Sequence, residues 1–93
     1  MAELENVTLG IKLVTCEPNQ DMFDKYLDRL QGKQSMPVGK YYGEMVRAAI
    51  EVGWLIEPKW TPDQVGKQKP MVVKWMGQVL DNLYKQETTV PPE

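Results

Sequence analysis

Hydrophobic and polar residues alternate near the start of the chain. Between residues 7 and 13 every second position is apolar, and these positions are Val7, Leu9, Ile11 and Leu13. Alternation with a period of two, carried partly by β-branched residues, is typical of a half-buried strand. A single strand is not stable on its own, and the sequence shows no clear second strand. We therefore expect residues 1–17 to form an extended strand or arm that pairs with another copy, pairs with a partner or packs on helices.

Helical periodicity replaces this alternation after Pro18. Apolar residues then recur at one-turn spacing and form a stripe of Met22, Phe23, Tyr26, Leu27 and Leu30. Asn19 or Asp21 can cap the start of this helix, because their side chains accept from free backbone N–H groups. Gly32 is suited to end it in the left-handed conformation. The pattern predicts a first helix between these residues.

Two further main helices and one short helix are predicted downstream. The second helix runs from about residue 39 to residue 52, before a glycine that acts as a stop signal. The segment "TPDQ" predicts a one-turn helix with Thr61 as its cap and Pro62 at its first position. The last helix runs from Pro70 to about Lys85.

The expected fold class is therefore mostly α. An N-terminal extended strand or arm (residues 1–17) precedes a helical core (residues 18–86) of three main helices and a one-turn helix. Residues 87–93 are expected to form a flexible tail, because its two prolines are incompatible with a helix. A length of 93 residues suits one small domain, 1–93.

Charge and composition narrow the classes of function that suit this chain. The net charge is −2, and the lysines and arginines are interspersed with acids, whereas nucleic-acid binders usually carry a basic face. No apolar run approaches the about 18 residues that cross a bilayer, and the N-terminus lacks the layout of a signal peptide. Cys16 is the single cysteine, so no internal disulfide can form. We expect a cytoplasmic protein that binds neither nucleic acid nor membrane.

The residues that usually carry catalysis or metal binding are scarce. The chain contains no histidine, which removes the commonest general base and the commonest zinc ligand. It also lacks a glycine-rich phosphate loop. Asp24 and Asp28 are candidates for acid–base chemistry by paired carboxylates, but their spacing also fits an exposed, solvated helix face. We expect no enzyme activity, no catalytic or metal site and no cofactor.

All three tryptophans lie in a proline-rich segment between residues 53 and 76. Trp54 is expected in the core, where a small domain needs its large apolar area. Trp60 is flanked by prolines, and Trp75 lies beside the apolar stripe of the last helix, so both are expected at an interface. The adjacent Tyr41 and Tyr42 cannot both point inward, so one of them is also available to a partner. The candidate interface residues are Trp60, Trp75, Tyr41, Val7, Leu9 and Ile11.

The second half of the chain resembles small proteins encoded in tailed-phage and prophage genomes. The resemblance lies in "YYGEMVRAAIEVGWLIEP" and "TPDQVGKQKPMVVKWMGQVLDNLYKQETTVPPE". The shared features are an "RAA…GW" helix end, a proline-bounded short helix, spaced apolar residues on a last helix and a "VPP" tail. Some members look like tail assembly chaperones, which are helical proteins that bind the tape-measure protein. The resemblance implies protein binding during assembly and carries no site residues over to this chain.

These observations favour a non-catalytic protein-binding module of phage or prophage origin that acts in tail assembly. Its partner would be a phage tail component, with self-association into a homo-oligomer as a further possibility. The alternative is a phage-encoded inhibitor or regulator that binds a host protein complex, such as an anti-defence factor or a polymerase binder. The sequence does not separate these two, because both are binding modules.

Overall fold

The chain folds into a three-stranded antiparallel sheet and four helices, and the computed structural model describes residues 1–91. In chain order the elements are β1 Ala2–Asn6, β2 Ile11–Thr15, α1 Gln20–Leu30, α2 Val38–Glu51, β3 Leu55–Glu57, α3 Pro62–Val65 and α4 Pro70–Thr88. The strand order in the sheet is β1–β2–β3.

The prediction of a mostly α fold with one N-terminal extended arm is wrong. The fold is α+β, because β2 lies between two partner strands of the same chain. β1 pairs with β2 along its whole length, from Ala2 opposite Thr15 to Asn6 opposite Ile11. β3 has only three residues, which is too short to produce a recognisable period in the sequence. The unpaired strand that suggested self-association is therefore paired within the chain.

The predicted strand at residues 7–15 is wrong in its first half, because residues 7–10 form the turn of a hairpin. The Asn6 Oδ1 atom accepts a hydrogen bond from the Leu9 N–H at 3.0 Å. The Gly10 N–H donates to the Val7 carbonyl at 3.2 Å, and Gly10 has a φ of 67°, which favours glycine. The alternating apolar pattern in the sequence therefore extends through a turn. Val7 and Leu9 belong to that turn rather than to a strand.

The three main helices and the one-turn helix lie close to their predicted ranges. Asn19 caps α1 by accepting from the Met22 N–H at 2.8 Å. Thr61 and Gln64 form a reciprocal capping box at the start of α3. α4 begins at Pro70 as predicted but continues to Thr88, past the predicted end near Lys85. Of the predicted flexible tail, residues 92 and 93 lie outside the described residues.

The core lies between the inner face of the sheet and the helices, with α2 in contact with α1, α3 and α4. Trp54 is 1% exposed, which confirms its predicted place in the core. Its ring lies edge-on to Phe23 and Tyr26, with centroids 5.0 and 5.3 Å apart. Its backbone N–H donates to the Ala49 carbonyl at 3.0 Å and its carbonyl accepts from the Cys16 N–H. Trp54 therefore joins the end of α2 to the end of β2.

Candidate binding cleft

A cleft of about 550 Å³ opens where the β1–β2 turn, the chain after β3 and the start of α4 meet. We call it the tryptophan cleft. It is lined by Leu9, Gly10, Ile11, Lys12, Glu57, Pro58, Lys59, Trp60, Gln68, Lys69 and Val72. Three of the six predicted interface residues, namely Leu9, Ile11 and Trp60, therefore come together here.

Local hydrogen bonds hold the backbone of Trp60 in place. Its N–H donates to the Pro58 carbonyl at 2.9 Å. The next residue, Thr61, begins the capping box of α3, and its N–H donates to the Gln64 Oε1 atom at 2.8 Å. The Trp60 side chain is partly buried and packs against the edge of the core. The aromatic wall of the tryptophan cleft is therefore anchored from both sides along the chain.

A shallower depression of about 360 Å³ holds Trp75, on the other side of Leu9. It is lined by Asn6, Thr8, Leu9, Met71, Lys74, Trp75 and Gln78. Trp75 is partly buried, whereas Met71 is 67% exposed and is the more available apolar side chain. Leu9 therefore lines both this depression, with Trp75, and the tryptophan cleft, with Trp60.

The lysines around this surface are exposed. Lys59 and Lys69 line the tryptophan cleft, and Lys74 lines the depression beside it. Within residues 1–91 none of these three forms an ion pair. Lys12 differs, because its Nζ atom lies 2.7 Å from the Glu3 carboxylate. That hydrogen bond raises the pKa of Lys12, and nearby carboxylates add to the effect.

The other two predicted interface residues lie away from the tryptophan cleft. Val7 is 81% exposed at the tip of the hairpin turn. Tyr41 is partly buried on α2 and packs against the core. Burial raises the pKa of the Tyr41 hydroxyl, and Asp81 contributes to the rise. The structure therefore does not gather all six predicted residues into one surface.

A second cleft of about 640 Å³ lies between α2, α3 and α4, and two of its four charged side chains, Glu44 and Arg47, hold the fold together. Arg47 donates to the Pro62 carbonyl and to the Glu44 carboxylate, both at 3.2 Å. Glu44 also accepts from Lys33 at 3.1 Å. No aromatic side chain belongs to the lining that the described residues provide. The tryptophan cleft is therefore the better candidate for recognition.

Sequence reasoning missed the lysines, Val72 and Met71 as parts of this surface. The segment "KQKPMVVKWM" carries the signal, because it interleaves lysines with large apolar side chains at the start of a helix. Only the tertiary structure places the hairpin turn against that segment.

Across residues 1–91 no group of three or more His, Cys, Asp or Glu side chains is placed to hold a metal ion. The Asp24 carboxylate is exposed on α1 and accepts a hydrogen bond from Gln20 at 2.9 Å. No helix in the same range is both long and apolar enough to cross a membrane.

No protein-family model, curated protein or solved structure matches the chain. The resemblance to small phage proteins therefore stays a prediction.

Proposed function

We propose that the protein is a binding module that recognises a protein partner through the tryptophan cleft. The observation that carries this proposal is the contrast between two tryptophans six residues apart. Trp54 is 1% exposed in the core, whereas Trp60 remains partly exposed on the wall of an open cleft. Half-covered aromatic side chains in such positions are typical anchors of protein interfaces.

The surroundings of Trp60 support binding over catalysis. Leu9, Ile11 and Val72 provide apolar contact area, and three lysines in the lining provide charge. Protein interfaces commonly combine an apolar centre with a polar rim. The polar side chains of the cleft are lysines, Gln68 and Glu57, which do not form a pair of nucleophile and general base. We therefore propose that the protein acts by holding its partner.

The resemblance to small phage proteins supports a finer proposal for the partner. In this proposal the partner is a component of a phage tail under assembly, and the chain acts as an assembly factor. A host protein complex is the other outcome that the same experiment would reveal. Identification of the crosslinked partner distinguishes the two directly.

A photo-crosslinking experiment tests the proposed surface. Lys59 is replaced with benzoylphenylalanine, because it is exposed and adjacent to Trp60, and Lys25 on α1 is replaced in a control chain. Both chains are expressed in the cells that naturally make the protein and irradiated. We expect one defined protein to crosslink through position 59 and not through position 25. Equal crosslinking at both positions would contradict the proposed surface.

Reconstitution with the purified partner then measures the contribution of Trp60. We expect Trp60→Ser to weaken binding by at least about 30-fold, the effect of losing an interface anchor of about 2 kcal/mol. Leu27→Ser is the matched control, since Leu27 is an exposed apolar residue of α1 outside the tryptophan cleft. Circular dichroism of each variant checks that the fold is retained. An unchanged affinity for a folded Trp60→Ser would overturn the proposed function.

A further inference from the structure

One wall of the tryptophan cleft is an open stretch of sheet edge. β3 pairs with Val14 and Thr15 of β2, and the strand ends at Glu57. Ile11 and Lys12 lie beyond that pairing, and both line the cleft. The first half of β2 therefore has a neighbour on its β1 side and a cleft on its β3 side.

Alternation along β2 places the backbone N–H and C=O groups of Lys12 on the cleft side of the strand. The Cys16 N–H donates to the Trp54 carbonyl on the β3 side at 3.0 Å. The β2–β3 register shifts between Val14, which lies opposite Glu57, and Thr15, which lies opposite Leu55, so the extra residue is on β3. Alternate residues of β2 still direct their N–H and C=O groups to the same side, so Lys12 shares the direction of Cys16 and Val14. Within the described chain no backbone hydrogen bond joins Lys12 to the residues after β3.

We infer that the partner segment binds as an added strand, antiparallel to β2 and beside Ile11 and Lys12. This inference rests on the proposed function, because it specifies how a protein partner occupies the tryptophan cleft. Addition of a strand to an open sheet edge is a common mode of peptide recognition, in which main-chain hydrogen bonds supply affinity and side-chain pockets supply specificity. Lys12 offers one N–H and one C=O to such a strand.

The side chains around this edge define the chemistry of the segment. Inward-facing positions of the added strand meet Ile11, Trp60 and Val72, so their central residues are apolar. Lys59 and Lys69 line the same cleft without an ion pair in residues 1–91, so the inward-facing ends are acidic. Outward-facing positions lie beside Lys12, which is already paired with Glu3, so neutral residues suit them.

Single-stranded nucleic acid also binds surfaces that combine lysines with aromatic rings. It fits this site less well, because Glu3, Glu5 and Glu57 lie close enough to Lys12 to raise its pKa and would repel phosphates. The open backbone groups of Lys12 also match a peptide strand rather than a phosphate backbone. An oligonucleotide is therefore included in the test as the competing ligand.

The probe is the heptapeptide acetyl-Glu-Thr-Val-Thr-Leu-Thr-Glu-amide, titrated into the full chain and followed by amide chemical shifts. We expect the largest shifts at Ile11, Lys12 and the indole N–H of Trp60, with none at Leu27. Methylation of the backbone nitrogen of the central threonine should weaken binding about twofold to tenfold, because it removes one main-chain hydrogen bond. Replacement of both glutamates with lysine should weaken it by about tenfold at low salt.

Charge reversal on the protein gives an independent test. Lys69→Glu should weaken binding of the acidic peptide and strengthen binding of the peptide that carries lysines in place of glutamates. Lys25→Glu on α1 should change neither affinity by more than about twofold. Both lysines are exposed, so these variants retain the fold.

Four outcomes would overturn the inference. They are no binding of the acidic peptide, shifts centred away from β2, equal affinity of the N-methylated peptide, and tighter binding of an oligothymidine. The proposed function fails separately, if a folded Trp60→Ser still binds the crosslinked partner. If Trp60→Ser no longer binds the crosslinked partner and the wild type does not bind the peptide, only the inference of an added strand is wrong.

Discussion

Gly77 of α4 faces Tyr42 of α2 so closely that a side chain does not fit between them. A Cβ atom on Gly77 would lie 2.5 Å from the Cβ atom of Tyr42 and 2.7 Å from its Cδ1 atom. Real Cβ atoms do not approach other atoms this closely, so either the ring or the helices must move. This contact sets how near α4 packs to α2, the helix in contact with the other three.

We therefore expect Gly77→Ala to destabilise the protein despite the better helix propensity of alanine. Overpacking of a well-packed interior costs about 1–3 kcal/mol, which exceeds the about 1 kcal/mol that alanine gains over glycine in a helix. Urea unfolding measures the difference. Gly43→Ala is the matched control, because its Cβ would meet Val73 at an ordinary 3.9 Å. Its stability should hold or rise, and equal losses in both variants would contradict the close contact.

The hydroxyl of Tyr26 is buried and has no hydrogen-bond partner in the described part of the chain. Tyr26→Phe should therefore leave the free energy of unfolding unchanged or raise it by about 1–2 kcal/mol, since an unsatisfied polar group is removed. Tyr26→Leu should instead lose about 2–4 kcal/mol, because the ring lies 5.3 Å from Trp54 in an aromatic cluster. Urea unfolding near pH 7 measures both. A clear loss in Tyr26→Phe would mean that the hydroxyl is satisfied.

The same residue should make stability fall at alkaline pH. Burial raises the pKa of the Tyr26 hydroxyl above its ordinary 10.0, and Tyr41 adds a smaller contribution. As the pH rises, the unfolded chain loses this proton before the folded chain does. The contribution of Tyr26 to the free energy of unfolding is therefore complete below about pH 10 and declines above it. The slope from this one group approaches about 1.4 kcal/mol per pH unit.

Unfolding of the wild type and Tyr26→Phe between about pH 8 and pH 11 measures this contribution. The variant should lose less stability with rising pH, because phenylalanine has no proton to release. Parallel profiles for the two proteins would show that Tyr26 does not titrate differently in the folded and unfolded states.

The outer edge of β1 carries charges that oppose pairing between two copies. If two β1 strands paired antiparallel about Leu4, Glu3 of each copy would lie opposite Glu5 of the other. Like charges in directly opposed positions are destabilising, and natural edge strands use charge in this way. Glu5→Lys replaces both repulsions with opposite-charge pairs worth about 0.2–1 kcal/mol each.

Sedimentation velocity over a concentration series measures this effect on self-association. We expect Glu5→Lys to self-associate more strongly than the wild type, and salt to weaken the difference. Glu87→Lys has the same change in net charge at an exposed position on α4 and should behave like the wild type. Equal self-association of all three proteins would argue that β1 is not where copies can meet.

Arg47 ties α3 to α2, whereas Arg29 forms an exposed ion pair with Glu51. Arg47→Met should lose about 1–3 kcal/mol, because a hydrogen bond from a charged group to the Pro62 carbonyl disappears. Arg29→Met should lose no more than about 1 kcal/mol, as is usual for exposed pairs. Hydrogen exchange should also quicken at the Lys67 N–H, which donates to Gln64 at the end of α3. Similar effects of the two substitutions would contradict this distinction.

Local signals made the helices predictable. The apolar stripe of α1, the Asn19 cap and the proline at the start of α4 each depend on neighbours within one or two turns. Gly53 ends α2 with a φ of 81°, which the sequence marked as a stop. The burial of Trp54 followed from its size in a small domain.

The sheet was less predictable, although part of its signal was present. Ala2 and Leu4 alternate with Glu3 and Glu5, and Gly10 marks the turn that follows. These residues fall within the single strand or arm predicted for residues 1–17, and the alternation in β1 is weak because an edge strand exposes much of its surface. β3 was not predictable from a pattern, since three residues do not define a period.

The sequence by itself determined the helices, the side-chain caps of α1 and α3 and the absence of histidine, because these follow from residue identity and short-range geometry. Only the tertiary structure decided that β2 has partners within the chain, and that Leu9 lines a cleft with Trp60 and a depression with Trp75. Such contacts join residues far apart in sequence. Their positions depend on how the hairpin and α4 pack on a shared core, which no local pattern encodes.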